Sequence, residues 1–207
     1  MRLRRNSAAR SGFTLLESLV SLVVFSVIGL ALALATNAGQ QTERSVARVS
    51  SENRSVRSLS QTLTDELSAS CDTQITVTHL PDGNDTLRFL MPIQNGTTLG
   101  WGVYDRTLGT TEAAQNRAGW SVCYTVSSTT AQGVTTRRLV RQELDTAQHV
   151  QKQKVVLDRL RSGSSTPPGF TARKQGAMWE ITLSADSPLP QGHGIEEVFH
   201  VQARNQQ

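Results

Sequence analysis

The sequence is poor in the residues that build metal and redox centres. It has two cysteines, Cys71 and Cys123, and neither belongs to a CxxC pair. Its four histidines, His79, His149, His193 and His200, are scattered along the chain. A zinc site draws on clustered Cys and His ligands, so no metal site is expected. In an exported domain Cys71 and Cys123 are a possible disulfide, and the alternative is two buried thiols. Charged residues make up 18% of the chain, and Ser, Thr and Gln supply much of the remaining polarity. The formal charge of +4 says little about nucleic acid, because Arg2, Arg4, Arg5 and Arg10 account for it and all precede a long apolar run. A nucleic-acid binder needs a basic patch on its folded part. Arg137, Arg138 and Arg141 are too few to argue one and read as a mixed, solvated strand face. No nucleic-acid contact is inferred.

Catalytic signatures are missing as well. There is no GxSxG elbow, phosphate-binding glycine loop or HExxH helix. Glu196 and Glu197 are adjacent, but neighbours on a strand point to opposite faces and make a poor carboxylate pair. We therefore expect no catalytic residue, no cofactor and no enzymatic activity.

What the sequence does have is a long hydrophobic run. In "RSGFTLLESLVSLVVFSVIGLALALA", Glu17 is the only charge from residue 13 to residue 35. At ~1.5 Å rise per residue this stretch makes a helix of ~34 Å, enough for a ~30 Å hydrocarbon core. A helix satisfies its own backbone polar groups, so the run can span a bilayer. Three readings compete. A cleaved signal peptide has the same basic start, apolar middle and small residues, here Ala33-Leu34-Ala35. A plain anchor keeps the arginines in the cytoplasm and the remainder outside. Neither has a use for a carboxylate at the start of the apolar region, where it costs one to a few kcal/mol, roughly, unless it reaches the headgroups.

The third reading uses every residue. "GFTLLE" resembles the prepilin motif shared by type IV pilins and type II secretion pseudopilins. The resemblance implies cleavage by a prepilin peptidase between Gly12 and Phe13, then N-methylation of the new Phe13 amine. Gly12 suits a scissile position because it lets an extended backbone enter a narrow cleft. Glu17 becomes the fifth residue of the mature chain. In the family, this Glu meets the N-terminal amine of a neighbouring subunit during filament assembly. Such a pair is attracted far more strongly in a low-dielectric bundle than in water, and an unpaired Glu is penalised there, which would set register. The implied partners are the peptidase, other pilin or pseudopilin subunits, an inner-membrane assembly platform and membrane lipid. The implied location is the bacterial inner membrane, single-pass, with the head in the periplasm or exterior, and a pilus or pseudopilus after assembly. An ATPase elsewhere in the machine supplies the energy, so no nucleotide site is expected.

Beyond the run, no proline and only Gly39 interrupt residues 36–80. Val46, Val49, Val56, Leu59, Leu63 and Leu67 recur at helical spacing. One helix over residues 13–70, ~85 Å long, is expected; a break near Asn37-Ala38-Gly39 is the alternative. After Cys71 the pattern turns to strands. "TQITVTH", the turn "LPDGND" and "TLRFLM" read as an antiparallel hairpin. Asp82, Asn84 and Asp85 sit in that turn. Some family members bind calcium, but the spacing does not match an EF-hand loop, and a turn rich in Asp and Asn is preferred. "LGWGVYD" and "GWSVCYTV" are strands around a loop over residues 107–118, and "STTAQGVTT" is a hairpin loop into "RRLVRQEL". "DTAQHVQKQKVVLDRLR" fits neither period and reads as loop with a short helix, followed by the surface loop "SGSSTPPG". "AMWEITLSA" and "IEEVFHVQA" are the last strands, joined by "DSPLPQGHG". Trp101, Trp120 and Trp179 all fall on expected strands, where core packing is preferred to an aromatic binding platform.

The expected fold is α+β: a long N-terminal helix, transmembrane in its first half and amphipathic in its second, packed on an antiparallel β-rich head. That order agrees with the pilin-like roll. The expected divisions are a leader at 1–12, an assembly helix at 13–35, an amphipathic helix at 36–70 and a head at 71–207. The head's layout, with "VCYTV" and "RRLVRQ" in a long middle region, resembles the minor pseudopilin J group and the related minor pilin W group, although "LVR" replaces the commoner "LYR". That likeness implies a structural minor subunit near the tip of a type II secretion pseudopilus or type IV pilus. Some tip subunits lack the Glu, so Glu17 argues against the outermost place. The alternative function is a membrane-anchored exported binding or enzymatic domain that forms no filament.

Overall fold

A computed structural model of the chain describes residues 14–95, 98–105, 107, 110–111, 115–187 and 194–204. The chain divides into two compact units, Met1–Ala47 and Arg48–Gln207. Helix α1, Leu15–Ala69, crosses the division. It is continuous through Gly39, as the absence of proline predicts and as the broken alternative did not.

In the first unit the apolar residues of α1 face solvent; Leu15, Leu22, Phe25 and Leu30 are among the most exposed. The few polar groups there are turned inward on the helix. Ser26 Oγ donates to Leu22 O (2.8 Å) and Thr36 Oγ1 to Leu32 O (2.6 Å). Each hydroxyl is thereby satisfied by a carbonyl one turn back, without water. This segment is long and apolar enough to cross a membrane, by length and composition.

In the second unit α1 becomes one-sided. Val56, Leu59, Leu63 and Leu67 are buried, at steps of three, four and four, which keeps them on one stripe. Burying each such side chain contributes roughly 1.5–3 kcal/mol. The expected stripe starts later than its sequence suggests, for Val46 is 62% exposed.

The strands are β1 (Thr76–His79), β2 (Asp85–Phe89), β3 (Met91–Asn95), β4 (Thr98–Tyr104), β5 (Asn116–Ala118) and β6 (Ser121–Ala131). They continue with β7 (Val134–Leu144), β8 (Val150–Leu157), β9 (Phe170–Gln175), β10 (Met178–Ala185) and β11 (Ile195–Val201). A five-stranded sheet has the order β1-β2-β6-β7-β8, and two three-stranded sheets have the orders β11-β10-β9 and β3-β4-β5. Pairing between named strands is antiparallel throughout. The architecture is the α+β arrangement that the sequence predicts.

Leu87 and Phe89 of β2, Val122 and Tyr124 of β6 and Leu139 of β7 join the α1 stripe in one core, with Phe170, Ile181 and Leu183 from the second sheet. Asn84 and Asp85 stitch those two sheets together. Phe170 N–H donates to Asn84 Oδ1 (2.8 Å) and Ala172 N–H to Asp85 Oδ2 (2.8 Å). The join is tight: a Cβ on Gly163 would lie 2.1 Å from Asn84 N and from Gly83 C.

The β6–β7 hairpin outgrows its sheet. β6 pairs with β2 only at Val122, Cys123 and Tyr124, and β7 meets β8 only from Leu139 onward. The residues beyond, 127–135, are exposed. The turn is Gln132-Gly133, with φ of 51° and 78°, so both central residues are left-handed, as a two-residue hairpin turn requires. "STTAQGVTT", expected as a loop, is therefore strand on both sides of a two-residue turn.

Two further expectations change. The middle of "DTAQHVQKQKVVLDRLR", Val150–Leu157, is strand β8, and the segment contains no helix. Its pairing with β7 shifts register between Leu139 and Val140 and between Glu143 and Leu144, and such irregularities erase a period of two. The loop expected at 107–118 lies partly outside the described residues, but its end forms β5. "DSPLPQGHG" lies mostly outside them.

Candidate functional site

The site begins at the start of α1. Gly12 and Phe13 lie outside the described residues, and Glu17 lies in the helix's first turn. Thr14 precedes the helix, and the two residues hold each other. Thr14 N–H donates to Glu17 Oε2 (3.1 Å), and Thr14 Oγ1 lies 3.2 Å from the same oxygen. Glu17 N–H donates back to Thr14 Oγ1 (3.3 Å). This is a capping box, in which residues three apart satisfy each other's orphan N–H groups at a helix start. A carboxylate there also lies at the favourable end of the helix dipole. Within its own chain Glu17 is thus already partnered. The signal is legible in the sequence as Thr-x-x-Glu before an apolar run, "TLLE".

Several charged groups of the head are engaged in structural ties. Glu66, on the inner side of α1, receives Tyr124 Oη at Oε2 (2.7 Å) and Arg141 Nε at Oε1 (3.0 Å). Arg141 Nη1 also donates to Glu143 Oε1 (2.7 Å). Burial alone would lower the Arg141 pKa, but Glu66 and Glu143 outweigh it and the guanidinium titrates above its ordinary range. Burial, reinforced by Glu66, pushes the Tyr124 phenol well up. Arg141 is therefore an internal residue, and the solvated face expected for it is not what forms. Arg138 pairs with Asp158 (2.9 Å) and Arg137 approaches Asp82 (3.7 Å). A second tie joins Lys152 Nζ to Asp105 Oδ2 (2.8 Å). Burial works to raise the Asp105 pKa, yet hydrogen bonds from Lys152 and Thr107 prevail and hold it at about 2.

The Asp/Asn turn is also committed internally. Asp82 Oδ1 accepts Asn84 N–H (3.1 Å), Asp82 Oδ2 accepts the Asn84 amide (2.9 Å), and Asp85 binds His79 as well as Ala172. Among the described residues no group of three or more His, Cys, Asp or Glu is arranged to hold a metal ion. His149 lies near Asp145 (3.6 Å) and His200 near Glu180 (3.4 Å), each in a separate place; His193 lies outside the described residues. Cys71 and Cys123 are buried thiols. Cys71 Sγ contacts Thr73 Oγ1 (3.2 Å), and burial pushes the Cys123 pKa to about 11. Glu196 is exposed, whereas Glu197 accepts the Ser60 hydroxyl (2.7 Å), so the adjacent carboxylates do point apart. Trp179 is a core residue whose Nε1 donates to Asp72 Oδ1 (2.9 Å), and Trp120 lies under the Arg117 guanidinium (5.5 Å to the centroid).

Comparison with known families locates a match where the structure places the capping box and the apolar helix. A family model described as "Prokaryotic N-terminal methylation motif" matches residues 7–33. The match supports a type IV pilin-like subunit. The motif implies processing by a prepilin peptidase and assembly with other pilins, and with the apolar helix it fits a single-pass inner-membrane anchor. A pilin-like motif suggests a structural subunit more than an enzyme. Searches of curated proteins and of solved structures gave no match.

Proposed function

We propose that the chain is a structural minor pilin or pseudopilin. Prepilin peptidase cuts it after Gly12, and Phe13 is N-methylated. The helix from residue 13 to residue 35 first anchors the subunit and then enters the filament core, with the second half of α1 leading into the head. The place is near the tip of a type II secretion pseudopilus or a type IV pilus, in the manner of the J-type minor pseudopilins.

One observation carries the reading: an uncovered apolar helix starts inside the matched motif, with Glu17 fixed in its first turn. In assembly, the Phe13 amine of a neighbour replaces Thr14 N–H as the partner of Glu17. The exchange trades a neutral donor for a cationic one, which gains most where water is absent.

The test is the mature N-terminus, read by mass spectrometry of protein from its own host. A chain starting at methylated Phe13 is the expected result. An unprocessed Met1 would leave only a plain anchor carrying an exported domain, and a chain starting at Thr36 would mean ordinary signal cleavage. Glu17→Ala is expected to be cleaved normally but to be lost from sheared filaments; normal incorporation would refute the charge-pairing role.

A further inference from the structure

The second unit carries a groove of about 640 Å³ between the second half of α1 and strand β8. Its helix wall is mainly short hydroxyl side chains, with Arg54 and Leu59 among them. Ser51, Ser55, Ser58 and Thr62 line it at helical spacing, and their small size is what leaves the space. Its other wall is the edge of a sheet. Among the described residues β8 ends the five-stranded order and pairs with β7 alone, so none of them places a strand beside its outer backbone N–H and C=O groups.

The charges in the groove are unequal. Lys152 is held by Asp105, and Arg141 by Glu66 and Glu143. Arg54 and Lys154 also line the groove, both exposed, and among the described residues neither has an acidic partner. Lys154 lies across the ladder from Arg141, so its near neighbour is another cation. The uncompensated charge is positive.

We propose that this groove receives an extended acidic segment of a partner protein, which adds to β8 as a further strand and sets its carboxylates against Arg54 and Lys154. Strand addition supplies affinity through main-chain hydrogen bonds, and alternate side chains supply selectivity. A segment of about five residues spans ~17 Å in this conformation. The same lysines disfavour a second copy of this chain. Antiparallel pairing of β8 with β8 would bring Lys152 and Lys154 of the two copies together, and like charges across a ladder are destabilising. The inference goes beyond the filament reading and does not depend on it, since binding is measured on the chain before assembly.

The test uses the full chain in detergent micelles and a fluorescent peptide of alternating Thr and Glu, followed by anisotropy. Saturable binding is expected, weakening as salt rises, and at least about tenfold weaker for the matched Thr/Lys peptide. Arg54→Glu combined with Lys154→Glu should reverse that preference; both are surface residues, and circular dichroism checks that the fold is retained. N-methylating the alternate peptide nitrogens that face β8 keeps the charge but removes strand donors, and should abolish binding, whereas methylating the other set should not. No saturable binding, equal binding of both peptides, or an unchanged preference in the double variant overturns the proposal. So does undiminished binding of both methylated peptides, one for each alternate set of nitrogens. A concentration-dependent dimer in sedimentation, lost in the double variant, overturns it in favour of a second copy.

Discussion

Glu66 is the residue through which α1 is tied to the five-stranded sheet by charge, and Glu66→Gln isolates that tie with almost no change in shape. The wild-type carboxylate takes Arg141 through Nε (3.0 Å) and Nη2 (2.9 Å) and Tyr124 through its hydroxyl (2.7 Å). Breaking a fully buried ion pair costs about 3–5 kcal/mol. Here the side chains of Glu66 and Arg141 are 16% and 20% exposed, and Arg141 retains Glu143. The expected loss is therefore smaller, about 1.5–3 kcal/mol, or a fall of about 4–10 °C in the unfolding midpoint of a domain this size. Tyr124→Phe keeps the ring stacked on Phe89, with centroids 6.2 Å apart, and removes one hydrogen bond to a charged acceptor, at about 1.5 kcal/mol. The double variant should lose less than the sum, because the hydroxyl's acceptor is already weakened. Thermal unfolding of the detergent-solubilised chain, followed by near-UV circular dichroism, reads all three. A Glu66→Gln midpoint within about a degree of wild type would refute the reasoning, and strict additivity would refute the coupling.

The Asp105–Lys152 tie predicts a pH dependence. Asp105 has a folded pKa of about 2, below its unfolded value of about 3.9, so its contribution is full above pH ~4 and disappears as pH falls towards 2. Lys152→Met should be less stable than wild type at neutral pH, and urea titrations should converge near the acid end of that window. Native protein at pH 8 should leave Cys123 unreactive towards a thiol reagent, given its pKa of about 11, and denaturation without reductant should release two reactive thiols; none would mean that Cys71 and Cys123 are bonded. Gly163→Ala, which sets a Cβ 2.1 Å from backbone atoms of Gly83 and Asn84, should lower stability by about 1–3 kcal/mol in urea, an overpacking cost.

The sequence made the long elements legible and hid the ones shaped by distant partners. α1 could be read because no proline occurs in it and because Val56, Leu59, Leu63 and Leu67 repeat at helical spacing. β10 and β11 showed themselves by β-branched and aromatic content. β9 did not: Phe170, Thr171 and Ala172 are buried in succession and the next three residues are exposed, so no alternation marks it. β8 was hidden by two register shifts and by polar residues along a sheet edge. Arg141 looked solvated because its acceptor Glu66 lies 75 residues earlier in the chain. Glu17 shows the opposite case. Its role in a motif could be read from local sequence, and so could its cap on Thr14, because both depend on residues within one turn.

The overlong β6–β7 hairpin has a practical consequence. Among the described residues its two strands meet only each other from Ser127 to Val134, and no buried face fixes which residue opposes which. Their register there rests on the Gln132-Gly133 turn, so a single-residue deletion at the turn shifts the outer ladder while leaving the core undisturbed. By the same reasoning, a short epitope inserted between Gln132 and Gly133 lands on a tip with no apolar contacts to lose. The hairpin thus offers a place to label the head without touching helix α1.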